Sequence, residues 1–168
     1  MHLSETLHLP LGVADVARMY ADPAYAQVRA RVLHAHEATA TVQGNPADAF
    51  TVTTAIQMPT DRIPDLLRRF VGATVTIRET QTWQAPAADG SRHGSIAFEV
   101  AGAPARMTGD VALTAEGETG SRMSIDGELV AKVPLLGRKI EQAALPYVSQ
   151  VLALEERSAA DYAAGSAR

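Results

Sequence analysis

The sequence contains no cysteine. Disulfide scaffolds, thiolate nucleophiles and cysteine-based zinc sites are therefore excluded. Aromatic residues are scarce, with one Trp, four Tyr and three Phe in 168 residues. No long apolar run is present. The longest uncharged stretch, residues 142–154, is 13 residues and contains Pro146, whereas a spanning helix needs roughly 18 or more. There is no basic run either: 15 basic and 19 acidic residues interleave to a formal charge of −4, which argues against a nucleic-acid partner. The first twenty residues lack a basic start followed by an apolar block, so no signal peptide is expected, and the expected compartment is the cytoplasm. The phosphate-loop, dinucleotide-binding, nucleophile-elbow and HExxH signatures are all missing, which weighs against nucleotide enzymes and serine hydrolases.

What is present supports one modest core. Leu, Ile, Val and Phe total 37, about 22% of the chain, just above the ~20% at which disorder sets in. That supply fits one domain over residues 1–168 rather than two.

Period-two alternation puts Leu3, Leu7 and Leu9 on one face of a strand over residues 2–9, with Glu5 on the same face. Val13, Val16, Ala17 and Tyr20 fit a short helix, and Asp22-Pro23 begins another to about residue 30. Residues 32–43 read as a strand, and Gly44-Asn45-Pro46 as a turn. Phe50, Val52, Ile56 and Met58 line the next strand. Ile63, Leu66, Leu67, Phe70 and Val71 then follow helical spacing, predicting an amphipathic helix of two to three turns near residues 61–71. Four more strands are predicted over residues 74–84, 94–100, 105–113 and 123–133. From residue 135 to about 163 one long helix carries Leu136, Ile140, Ala144, Tyr147, Val151 and Leu154 as its stripe, with Pro146 expected to kink or split it.

Strands joined by short turns imply an antiparallel meander. Seven strands with one apolar face each need a cover, and the long helix alone has the length, roughly 40 Å at about 1.5 Å per residue. The expected fold is α+β: a curved seven-stranded antiparallel sheet wrapped around a C-terminal helix. Small inward residues such as Ala105, Gly109, Gly127, Ala131, Ala143 and Ala144 leave room for a cavity between them.

Three segments sharpen this reading: residues 63–72 (IPDLLRRFVG), Thr82-Trp83, and residues 126–141 (DGELVAKVPLLGRKIE). The element order resembles the helix-grip fold of the START and pollen-allergen-like superfamily, which includes polyketide cyclases, dehydrases and lipid-transport proteins. The three segments resemble a bacterial family of unknown function within it. The resemblance implies a hydrophobic or amphipathic small molecule held between sheet and helix. No cofactor is expected, and the resemblance supplies no catalytic residues to carry over.

Candidate residues follow from position. Ile77, Glu79, Trp83, Phe98, Met107, Ile125, Ile140, Ala144, Tyr147 and Val151 are the expected ligand-binding positions. Glu79 and Gln81 share the inward face with Val75, Ile77 and Trp83, and a carboxylate on such a wall needs a partner or its pKa rises. Glu79 and Tyr147 are thus the candidate acid–base groups. His34 and His36, two apart on a strand, could share a metal with a third ligand, although exposed strand histidines are the plainer reading and no metal is expected. Asp126 and Glu128 lie on a charged, solvated face. Arg62, Arg68 and Arg69, opposite the 61–71 stripe, could make transient contact with an anionic membrane or serve a lid. Three functions remain: a pocket that binds a lipid or polyketide-like molecule, a cyclase or hydratase using the same pocket, and a protein-interaction domain of chaperone-activator type.

Overall fold

The computed structural model describes residues 1–165. Its strands are β1 (His2–Leu9), β2 (Glu37–Gly44), β3 (Phe50–Pro59), β4 (Thr74–Trp83), β5 (Arg92–Val100), β6 (Ala105–Glu116) and β7 (Gly120–Ala131). Helices α1 (Val13–Tyr20) and α2 (Pro23–Leu33) follow β1, α3 (Asp65–Arg68) interrupts the meander, and α4 (Gly137–Ala163) ends it. All seven strands form one antiparallel sheet in the order β1-β7-β6-β5-β4-β3-β2. No described helix is long and apolar enough to cross a membrane.

Alternation sets which face is buried. In β7 every second residue from Ser121 to Ala131 is buried and the intervening residues are exposed. The inner face curves around α4. At the centre of that curve Gly109 faces Gly127 across the β6–β7 ladder. A Cβ on Gly109 would lie 2.5 Å from the Asp126 carbonyl oxygen, and one on Gly127 would lie 2.7 Å from that of Thr108. Only glycines allow the two strands to approach so closely.

Helices α1 and α2 fill one end of the curved sheet. Val16, Met19 and Tyr20 pack with Leu7, Leu9 and Met123, while Ala26 and Ala30 pack with Ile56 and Met58. The Asp22 side chain caps α2 by accepting from the Ala24 N–H at 2.9 Å, with Pro23 as the first helical residue. Arg92, buried on β5, donates to the carbonyls of Asp48 at 2.8 Å and of Pro46, tying the β2–β3 turn to the sheet.

Besides small shifts at the ends of β5, β6 and β7, four boundaries differ from the sequence expectation. The strand expected over residues 32–43 begins only at Glu37, because α2 continues through Leu33 to bury that residue and stops at His34 in the left-handed conformation (φ 53°). Local β-propensity yields there to tertiary packing. The helix expected near residues 61–71 is a single turn, Asp65–Arg68; so short a helix makes few hydrogen bonds to offset its costly nucleus. Strand β7 ends at Ala131, so Val133 falls beyond it. Helix α4 starts at Gly137, so Leu136 is 37% exposed and the buried stripe begins at Ile140. Pro146 lies on the exposed side, and α4 runs through it unbroken.

Candidate ligand cavity and its buried ion cluster

The inner face of β4 divides the interior. Val75 and Ile77 line a cavity, Glu79 and Gln81 form a buried polar step, and Trp83 enters the main core. The cavity has a volume of about 120 Å³. Its floor is Ile77, Phe98, Met107 and Leu129 on four neighbouring strands. Ile140, Ala144, Tyr147, Val148 and Val151 of α4 close one side. Leu67, Phe70 and Val71 around α3 close another, and Ala103 and Pro104 between β5 and β6 form the rim. Tyr147 and Arg106 are the lining residues with side-chain hydrogen-bonding groups. The Tyr147 hydroxyl donates weakly to Met58 Sδ at 3.9 Å, and burial raises its pKa.

Seven expected ligand-binding residues line this cavity: Ile77, Phe98, Met107, Ile140, Ala144, Tyr147 and Val151. The structure places Glu79, Trp83 and Ile125 elsewhere. Ile125 is buried in the main core opposite Glu5, and Trp83 stacks against Tyr20 with ring centroids 6.3 Å apart. Of the small inward residues, Ala105, Ala131 and Ala144 line the cavity, whereas Gly109, Gly127 and Ala143 do not.

Glu79 points inward but is committed to protein partners. Arg29 of α2 donates from Nη2 to Glu79 Oε2 at 2.6 Å, and Gln81 Nε2 donates to Glu79 Oε1. Trp83 Nε1 donates in turn to Gln81 Oε1 at 2.9 Å. On its other side Arg29 Nε lies 3.1 Å from Glu155 Oε2 of α4, and the Tyr25 hydroxyl donates to Glu155 Oε1 at 2.6 Å. One guanidinium therefore sits between two carboxylates, all three side chains almost fully buried. Burial raises the Glu155 pKa; Arg29 opposes that shift and Glu79 adds to it. Burial raises the Tyr25 hydroxyl pKa as well, and Glu155 reinforces it. Burial disfavours the charge on Arg29, but the two carboxylates outweigh it and its pKa is raised. The cluster joins α2, β4 and α4 by charge-assisted hydrogen bonds, the strong class.

Sequence reasoning found Glu79 but missed Arg29, Tyr25 and Glu155. A signal was available. Glu155 lies four residues after Val151 and three after Leu152, in register with the buried side of the last helix. Arg29 lies four after Tyr25, on the face of α2 that also carries Val28 and Leu33.

The remaining candidates lie apart. His34 and His36 do not share a strand face: both are exposed, His34 capping α2 and His36 in the following turn. Among the described residues no group of three or more His, Cys, Asp or Glu could hold a metal. Asp126 and Glu128 are exposed, each 3.6 Å from a ring nitrogen of His2. Arg68 donates to the Ile63 carbonyl at 3.1 Å, holding its turn together; Arg62 and Arg69 are exposed.

A family model described as a protein of unknown function (DUF2505) matches residues 4–162. The chain belongs to that family. An uncharacterized protein of Mycobacterium tuberculosis, Rv0481c, is 28% identical over 119 residues, 69% of this chain and 68% of that protein. Two solved structures show the same architecture. The Zhui aromatase/cyclase from Streptomyces sp. R1128 superposes with a TM-score of 0.57 at 9% identity, covering 100% of this chain and 96% of that one. A START superfamily protein from Mycobacterium smegmatis gives 0.55 at 10% identity, covering 96% and 98%. At these identities the likeness shows the fold: this DUF2505 member is a helix-grip protein with structural neighbours in the START and polyketide cyclase superfamily. Fold does not by itself assign activity.

Proposed function

We propose that this DUF2505 protein binds a small hydrophobic or amphipathic molecule, of lipid or polyketide type, in the cavity between sheet and α4. The observation that carries this reading is the cavity itself, about 120 Å³ in volume and lined almost wholly by apolar side chains. A domain with so few large apolar residues gains stability by filling such a space. Empty apolar cavities accept apolar guests; one of about 150 Å³ holds benzene. The resting cavity therefore suits one ring or a short acyl segment. A larger ligand requires the 61–71 segment, which has a single helical turn, to move outward. The Tyr147 hydroxyl, with only a thioether partner among the described residues, supplies one polar anchor for a ligand oxygen. The helix-grip neighbours named for aromatase/cyclase and START proteins support a ligand at this place. Absence of cysteine supports the cytoplasm as its compartment.

The test is native mass spectrometry of the purified protein, followed by solvent extraction. A stoichiometric apolar compound supports the reading and identifies its class. The Ala144→Trp variant places an indole in the cavity and is expected to lose that compound while staying folded. A folded variant that retains it would mean the ligand sits elsewhere.

A further inference from the structure

We propose that the end of the molecule holding the cavity docks onto an anionic lipid bilayer through Leu135, Leu136 and the basic residues around them. This goes beyond the pocket reading, since docking needs no occupant in the cavity.

The first observation is Leu135. Its side chain is 102% exposed, and its backbone has φ 64°. A leucine in the left-handed conformation costs roughly 1–2 kcal/mol that glycine would not. Neither packing nor backbone geometry accounts for leucine here, and such outliers tend to mark functional surfaces. Leu136, 37% exposed, follows it. The half-buried Leu66, Phe70 and Val71 lie in the segment that closes the same cavity.

The second observation is charge. Three segments frame the cavity: residues 61–71, 99–106 and 130–141. They hold seven basic residues (Arg62, Arg68, Arg69, Arg106, Lys132, Arg138, Lys139) and four acidic ones (Asp61, Asp65, Glu99, Glu141), a balance of +3. The remaining sequence holds eight basic and fifteen acidic residues, a balance of −7. An acidic protein thus gathers its positive charge at one end. Arg68 pairs with Asp65 at 3.4 Å and Arg106 with Glu99 at 3.5 Å. Glu141 is turned inward to accept the Ala131 N–H at 3.0 Å. Arg62, Arg69, Lys132, Arg138 and Lys139 are exposed and have no ion-pair partner among the described residues. Exposed leucines on the same cavity-framing segments as unpaired cations match the interface of an anionic bilayer, where headgroups meet the cations and acyl chains the leucines.

The test is co-sedimentation of the full chain with vesicles of phosphatidylcholine, with and without phosphatidylglycerol. The expected result is binding only to the phosphatidylglycerol vesicles, lost near ~1 M salt, where charges are screened beyond about 3 Å. Leu135→Gly suits the backbone, so it should leave the melting temperature unchanged or higher while weakening binding about tenfold. The triple variant K132E/R138E/K139E, all at exposed positions, should weaken it by about 100-fold or more, at about fivefold per cation. Absence of binding to the anionic vesicles, as expected if this surface meets an acidic protein instead, overturns the proposal. So does binding that both variants leave unchanged. Either result leaves the extraction test of the pocket unaffected.

Discussion

Removing the two carboxylates that flank Arg29 should be non-additive. Arg29 Nη2 lies 2.6 Å from Glu79 and its Nε 3.1 Å from Glu155. At an effective dielectric of about 20, each such contact has a gross attraction of about 4 kcal/mol, offset by several kcal/mol of desolvation per ion. One carboxylate is enough to neutralise one guanidinium. In Glu79→Gln the cation keeps Glu155, and in Glu155→Gln it keeps Glu79. Each single variant should therefore cost about 1–2 kcal/mol, mainly for a poorer hydrogen bond. The double variant strands a buried cation, which costs about 3–5 kcal/mol or more. At the middle of these ranges the expected coupling is about 1 kcal/mol, within the range measured for groups in one network. Urea unfolding of all four proteins at neutral pH gives these values directly. Costs that simply add would mean that Arg29 does not depend on the pair as a unit, and the reading of the cluster would be wrong.

The same cluster predicts a pH effect. The folded pKa of Glu155 is raised above the ordinary 4.5, so the folded state binds a proton that the unfolded chain releases as pH climbs past that value. This group's contribution is thus most favourable below its unfolded pKa and declines as pH rises towards the folded one; unfolding curves of Glu155→Gln should lack that part of the decline. Tyr147→Phe should leave stability within about 0.5 kcal/mol, since its hydroxyl has only a weak sulfur contact, but reduce the amount of any co-purified ligand bearing an oxygen, read by the extraction assay. Gly109→Ala should cost at least about 1–3 kcal/mol, because its Cβ would meet the Asp126 carbonyl at 2.5 Å; unchanged thermal melting would show that the β6–β7 ladder can open without penalty.

Much of this architecture was legible because period-two alternation survives wherever one sheet face is buried. Strands β1, β3, β4 and β6 lie close to where the residues predict them, and the inward aim of Glu79 and Gln81 follows from their register with Ile77 and Trp83. The family resemblance rested on residues 63–72, Thr82-Trp83 and residues 126–141; the first and last also frame the cavity, whereas Trp83 packs in the main core. Other features depend on contacts between elements distant in sequence. The end of α2 at His34 reflects what Leu33 packs against. Arg29, which pairs with Glu79, lies 50 positions before it, and Glu155, which pairs with Arg29 from the other side, lies 126 positions after Arg29, pairings that periodicity within one element cannot encode. Which faces are apolar follows from residue order alone, because side-chain period and burial are coupled through backbone geometry. Packing settles that Arg29 sits between Glu79 and Glu155 and that a space remains beside Tyr147, because both depend on how closely α2 and α4 settle against one curved sheet.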